Sequence, residues 1–272
     1  MDGEIVWSGL EFPEGPVWHQ GALYCVEMGG AGRIARCMPE GKVERIAETG
    51  GGPNGATLGP DGMLYVTQNG GMREEGRVTP AILRITLDGK IETVTSEVNG
   101  LALEGPNDLA FAPDGRLYFT DPRGSSDPAK NKNPGRIFAW DVAEKSGELV
   151  LELGPVFPNG IAFDAQGTLF WSESFSRRVM ALRDGYVQVE CELPDRHFPD
   201  GFCFDQQGRL YVGTTYAHCV SVIEEGRIID RLMCADGMPT NCCFGGTDLY
   251  VTDSRHGKIW RFPVGREGLA LR

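Results

Sequence analysis

The sequence predicts an all-β protein, a six-bladed β-propeller of four-stranded antiparallel blades spanning residues 1–272, and three observations predict it. One motif recurs six times, each copy carries the turn chemistry of a hairpin, and the copies are spaced at the length of a propeller blade. The copies read PEGPVWHQGALYCVEM from Pro13, PNGATLGPDGMLYVTQN from Pro53, PNDLAFAPDGRLYFTDP from Pro106, PNGIAFDAQGTLFWSES from Pro158, PDGFCFDQQGRLYVGTT from Pro199 and PTNCCFGGTDLYVTDS from Pro239.

Within each copy a Pro-led turn opens a short apolar strand. A tight turn, usually Asp-Gly or Gln-Gly, then leads into a second strand built around Leu-Tyr or Leu-Phe, a pattern that specifies a hairpin. Between the copies lie further strand pairs, such as Gly32 to Cys37 with Lys42 to Ala47, and Ile82 to Thr86 with Lys90 to Thr95, so each repeat holds four strands. The turn positions 14, 54, 107, 159, 200 and 240 are separated by 40, 53, 52, 41 and 40 residues, so the second and third repeats carry insertions. These fall in part at Asn69 to Pro80 and at Arg123 to Gly135, both following the second strand of a blade. In an up-and-down blade that loop shares a face with the turn before the first strand, which places both insertions over the channel mouth, where loops make natural binding elements. The last repeat is short of an outer strand, and Glu4-Ile-Val-Trp-Ser precedes the first turn without a partner. The N-terminal strand is therefore expected to complete the sixth blade and close the ring.

The totals fit a turn-rich globular chain, with 38 Gly, 17 Pro and 41% hydrophobic residues. A formal charge of −12 sets a negative far field that disfavours nucleic acid and anionic membranes as partners. The N-terminal residues lack the basic and apolar regions of a secretory signal, and no apolar run is long enough to span a bilayer, so a cytoplasmic location is expected. Eight cysteines show no C-x-x-C pair and sit mostly in apolar strand-like runs, which reads as buried reduced thiols, with Cys242-Cys243 the pair of interest.

The residue after each Pro begins the innermost strand. Six equivalent positions should therefore ring the axis: Glu14, Asn54, Asn107, Asn159, Asp200 and Thr240. Asn and Asp are ordinary turn residues, and each position taken singly has that bland reading. Taken together the ring says more. Glu14 is a poor turn former, and two carboxylates at the narrow end of a channel would repel and raise each other's pKa unless a cation lay between them. Two carboxylates with amide oxygens form an oxygen set suited to Ca²⁺, Mg²⁺ or Mn²⁺, and less typical for Zn²⁺.

With these residues in view, the chain resembles the senescence marker protein/gluconolactonase/luciferin-regenerating enzyme family over essentially its whole length. The resemblance rests on Glu14-Gly-Pro-Val-Trp, Pro106-Asn-Asp-Leu-Ala-Phe, Pro158-Asn-Gly-Ile-Ala-Phe and Pro199-Asp-Gly-Phe. It implies a single divalent cation, Ca²⁺ first with Mg²⁺, Mn²⁺ or Zn²⁺ as alternatives, held by Glu14, Asn159 and Asp200. Asn107 joins them directly or through water. It also implies a small-molecule substrate, a lactone, opened by hydrolysis with Asp200 as the base. Asn54, Asn107, Arg123 and His197 are read as substrate-facing, and His218 and His256 as further rim histidines.

The chain departs from the animal gluconolactonase pattern, which has an Arg two residues before the Asn of the P-N-D motif and an acidic residue after the second strand of that blade. Gly105 and Arg123 stand there instead, which argues against a polyhydroxylated lactone. Asp121-Pro-Arg-Gly is closer to bacterial lactonases of the family, and Arg123 has two readings: a partner for a substrate carboxylate, or an ion pair with Asp121 or Asp127. Two other functions fit the same scaffold. One is phosphotriester or non-hydrolytic metal-assisted chemistry, and the other is a non-catalytic calcium-binding propeller.

Overall fold

In the computed structural model, which describes residues 2–71 and 75–271, six four-stranded antiparallel sheets stand in a ring, one for each repeat. The first four blades run Pro13–Glu48, Pro53–Thr95, Leu109–Glu152 and Pro158–Glu192, and the fifth Pro199–Met233, each ordered from the innermost strand outward. The sixth is built from Pro239–Gly245, Asp248–Asp253 and Lys258–Phe262. Its fourth strand is Glu4–Ser8, paired antiparallel to Lys258–Phe262 as the sequence predicts. Among the described residues helix is confined to two single turns of 3₁₀ type, and no helix is long and apolar enough to cross a membrane.

The Leu-Tyr-Val signature of the second strand follows from its position between two blades. Successive side chains of a strand point to opposite faces. In blade two, Leu64 and Val66 pack toward Tyr24 and Ile34 of blade one, while Tyr65 between them packs toward Phe111 of blade three. Blade five repeats the device, Leu210 and Val212 facing Phe170 of blade four and Tyr211 facing Cys242 and Val251 of blade six. The core is thus six layers, each shared by neighbouring blades, with the layer between blades three and four built on Ile137, Ile161 and Trp171. Trp7 of the closing strand completes the layer between blades six and one beside Leu23, Tyr250 and Ile259.

Hydroxyls at the following position of this strand fasten blades two, three and four to the blade that follows. Thr67 donates to the carbonyl of Asn107 (2.5 Å), Thr120 to that of Asn159 (2.7 Å) and Ser172 to that of Asp200 (2.7 Å). Each clasp therefore lands on the backbone of a mouth residue. Around the seam, Ser254 donates to the carbonyl of Pro13 (2.7 Å).

Blade two's extra length is divided between two connections. Part lies at Asn69 to Pro80, of which residues 72–74 fall outside the described residues. The remainder includes a small hairpin, Glu97–Val98 with Leu101–Ala102, that leads into the third blade. The eight cysteines are unpaired, as expected from their apolar setting. The close approach across blades joins Cys203 and Cys242, whose sulfurs lie 3.5 Å apart, and not the sequence neighbours Cys242 and Cys243.

Candidate functional site at the channel mouth

Five of the six innermost strands start at the Pro itself and slip register two residues later, between Pro53 and Ala56, Pro158 and Ile161, Pro199 and Phe202, Pro239 and Cys242, and between Glu14 and Val17. Such a bulge re-aims side chains that a regular strand would send into a blade interface. Here it turns the mouth residue toward the axis, and all six predicted ring positions line one cavity of about 860 Å³. In the third blade the strand begins only at Leu109, and Asn107 precedes it in irregular chain.

Inside the mouth ring lies a second ring that is glycine in four blades, because the strands converge too closely for side chains. A Cβ on Gly160 would fall 2.5 Å from the Asp200 carbonyl oxygen, and one on Gly201 would fall 2.1 Å from the Asn241 side chain. The two exceptions, Asp108 and Asn241, belong to opposite blades. They meet across the axis, with the Asn241 amide donating to Asp108 Oδ2 at 3.4 Å. Both also line a separate cavity of about 460 Å³ at the other end of the channel, so this pair forms a floor under the mouth.

Three carboxyls therefore crowd the axis, and their surroundings disfavour charge. Burial raises the Glu14 pKa well above the usual carboxyl range, and the Asp200 and Asp108 carboxyls push it further. The Thr240 hydroxyl and the Gly15 N–H, 3.3 Å from Glu14 Oε2, pull the other way. Asp200 is pushed up to about 8 by desolvation and then by Asp108, against opposing bonds from Asn159 and the Gly201 N–H. Asp108 is pushed up to about 7 by burial. Neither Glu14 nor Asp200 has an ion pair with a described Lys, Arg or His, and their hydrogen-bond donors are neutral.

Asn159 is oriented by a residue the sequence reading does not single out. Ser174 donates its hydroxyl proton to the Pro199 carbonyl (2.8 Å), so it must accept from Asn159 Nδ2 (3.2 Å). With the second amide proton directed to Asp200, the Asn159 oxygen remains available as an acceptor or a ligand. The donor set thus fits a hard divalent cation: two carboxyls that carry an electrostatic cost when ionised, amide oxygens nearby, and no basic side chain to neutralise them. No three His, Cys, Asp or Glu side chains cluster as a metal site among the described residues. The mouth instead mixes two carboxyls with amides.

Other expected residues are placed unevenly. Arg123 lines the cavity, but its guanidinium is held by Glu104, with Nη2 at 2.6 Å and Nε at 2.7 Å from Oε1. The expected partners are engaged elsewhere, Asp121 by Arg136 (2.6 Å) and Asp127 by Lys130 (3.1 Å). Asp121 also accepts from the Gly105 N–H (2.9 Å), which fixes the turn before Asn107. His197 lies outside the cavity lining. Its Nδ1 is 3.1 Å from the Asp195 carbonyl, and Nε2 accepts from Arg231. His218 and His256 also lie outside, bonded through Nδ1 to the Gly237 carbonyl (2.6 Å) and Asp253 (3.0 Å).

The cavity also has an aromatic wall. Phe157 and Phe175 pack at 4.9 Å between centroids, Phe198 and Tyr216 at 5.3 Å, and Phe12 joins them from blade one. Phe12, Phe157 and Phe198 each directly precede the Pro of a copy, and Phe175 and Tyr216 hold one equivalent place after the second strand, so the wall follows two repeated positions that are aromatic in some blades and not in others.

The molecule is thus a six-bladed propeller with oxygen donors converging at one axial mouth. Within it, residues 12–255 match the family described as the SMP-30/Gluconolactonase/LRE-like region, and the chain belongs to that family. Among curated proteins it is 26% identical over 195 residues to a gluconolactonase of Zymomonas mobilis, covering 64% of this chain and 52% of that protein. It is 29% identical over 191 residues to the Arabidopsis thaliana protein strictosidine synthase-like 6, covering 64% and 48%. The chain spans about half the length of the curated relatives it matches. Among solved structures, a gluconolactonase from Xanthomonas campestris superposes with a TM-score of 0.79 at 24% identity, covering 97% of this chain and 89% of that one. The calcium-binding protein regucalcin from Agrobacterium tumefaciens gives 0.78 at 14% identity, covering 99% and 96%. At these identities the structural likenesses establish the fold.

Proposed function

We propose that the protein is a lactonase that hydrolyses a small lactone at the mouth, with Asp200 as the base. Glu14, Asn159 and Asp200, joined by Asn107, would hold one divalent cation, Ca²⁺ before Mg²⁺, Mn²⁺ or Zn²⁺. The observation that carries the reading is the convergence of Glu14 and Asp200 with Asn159 at the closed end of the cavity, with no basic side chain among the described residues paired to either carboxyl. Membership of the gluconolactonase-like family supports the choice of a lactone.

When bound, such a cation supplies Lewis-acid polarisation of the ester carbonyl and makes nearby water more acidic. Asp200, at about 8, is largely protonated at neutral pH, and becomes a competent base there only when positive charge beside it offsets desolvation. The Asn159 amide, fixed by Ser174, holds the Asp200 carboxyl in orientation. Asp200 then takes a proton from the attacking water as the acyl carbon is attacked, and returns it to the departing ring oxygen.

The test is acid release across a panel of lactones, before and after chelation, with wild type and Asp200→Ala compared at matched folded fraction. Chelation should abolish turnover, and one of the four ions should restore it. Asp200→Ala should lower kcat/KM by roughly 10²-fold or more, the scale of a lost general base. Turnover that survives either treatment sinks the mechanism.

A further inference from the structure

The wall of the mouth is chemically divided. Blades two and three contribute a polar arc, with Asn69, Glu104, Arg123, Ser125 and Ser126. Blades four, five, six and one contribute an apolar arc in which Phe157, Phe175, Phe198, Tyr216, Met238 and Phe12 follow one another around the rim. The one described basic residue on that arc, Arg196, is an exposed rim residue.

Part of the polar arc is already committed. Glu104 and Arg123 pair with each other, and Asn69 is occupied on both sides, its oxygen accepting from the Gly71 N–H (2.9 Å) and its amide directed at Met28 sulfur (3.6 Å). A polyhydroxylated ligand would have to set hydroxyls against the aromatic arc and lose their bonds to water, which is costly without replacements. A flat apolar group meets no such cost, and gains from ring edges and faces already arranged in tilted and T-shaped pairs.

The backbone gives a second, independent observation. Phe12 and Phe157 each directly precede the Pro that opens an innermost strand, and each has a left-handed φ, 57° and 56°. Bulky residues rarely adopt that conformation, and a following Pro biases its neighbour toward extended backbone. Glycine would serve such turns more easily. Two aromatic rings held there both line the cavity, and strained conformations of this kind cluster at ligand sites.

We infer that the apolar arc is an aryl subsite, and that the substrate is a lactone fused to or carrying an aromatic ring, preferred over polyhydroxylated lactones. The inference rests on the lactonase reading, with the ester directed to Asp200 and the aromatic part lying against Phe157, Phe175, Phe198 and Tyr216.

The test compares kcat/KM for a benzo-fused δ-lactone, an unsubstituted δ-lactone and a polyhydroxylated δ-lactone, using wild type and Phe175→Ala. Wild type should prefer the benzo-fused lactone over the polyhydroxylated one by about tenfold or more, equivalent to ~1.4 kcal/mol. Phe175→Ala should reduce the preference for the benzo-fused over the unsubstituted lactone by about tenfold, mainly through KM. A wild-type preference for the polyhydroxylated lactone, or an equal loss on both other substrates in the variant, overturns the subsite. If wild type opens no lactone of any kind with any of the four ions, the lactonase reading fails, and calorimetry then decides the subsite alone. Binding of the benzo-fused lactone weakened by Phe175→Ala supports it, and equal or absent binding overturns it.

Discussion

At the scale of single residues, the mouth carries an electrostatic cost. Folding places Asp200 where its carboxyl titrates at about 8, against about 3.9 for an unfolded Asp. Glu14 and Asp108 are displaced in the same direction. The folded metal-free protein therefore binds more protons than the unfolded chain between these values, and its stability must fall as pH rises from about 4 to about 8. Thermal melting of the chelated protein across that window should show the decline, and adding the preferred divalent ion at pH 8 should reverse it. Asp200→Asn keeps the shape and removes the charge. It should raise the melting temperature of the chelated protein at pH 8 by on the order of 2–4 °C while abolishing turnover. A variant that melts lower at pH 8 without metal would show that ionised Asp200 is stabilised by something other than a cation. Much of this chemistry is legible in the sequence, because Glu14, Asn159 and Asp200 occupy one repeated position after a Pro. Ser174 is not legible, since its task depends on the Pro199 carbonyl of the next blade.

At the scale of elements, function depends on where the second strand of one blade grips the first strand of the next. The Ser172 hydroxyl holds the backbone carbonyl of Asp200 at 2.7 Å, as Thr120 holds that of Asn159. Ser172→Ala leaves a carbonyl in a nearly dry interface without its partner, a cost of about 1–3 kcal/mol. Denaturant unfolding should show that loss, kcat should fall with it because the base moves, and Ser172→Thr should recover most of both. If Ser172→Ala unfolds at the wild-type midpoint, the clasp is not a structural element. Blade five shows the alternative solution. Gly213 stands where the hydroxyl stands in blades two, three and four, and the Thr240 carbonyl lies so near that a Cβ would meet its oxygen at 2.7 Å. The repeat makes the strands and their order readable, but it hides what differs between blades. The hairpin at Glu97–Ala102 sits on a connection of unequal length, the aromatic rim occupies positions that are not aromatic in the other blades, and His197 lies near Asp200 in sequence while its ring turns to Arg231. Neighbourhood along the chain is a poor guide wherever the backbone bulges.

At the scale of the whole molecule, six blades share six apolar layers, so the ring is only as secure as its seam. That seam is Glu4–Ser8 against Lys258–Phe262, with an ion pair from Arg261 to Glu4 (2.7 Å), and Trp7 buried at 6% exposure and donating its indole N–H to the Met38 carbonyl (2.7 Å). Removing residues 2–8 does two separable things. It uncovers the edge of Lys258–Phe262, a row of unpaired backbone groups able to recruit another chain. It also empties the indole's place among Leu23, Tyr250 and Ile259. Trp7→Ala does only the second, and should cost about 3–5 kcal/mol while the protein keeps the wild-type oligomeric state. The truncated chain should lose at least as much, and should form oligomers whose proportion rises with concentration. Scattering and denaturant unfolding of the two variants side by side separate edge protection from packing. If the truncated chain remains monomeric and unfolds at the Trp7→Ala midpoint, the strand contributes through its indole alone, and the ring does not depend on a hydrogen-bonded closure.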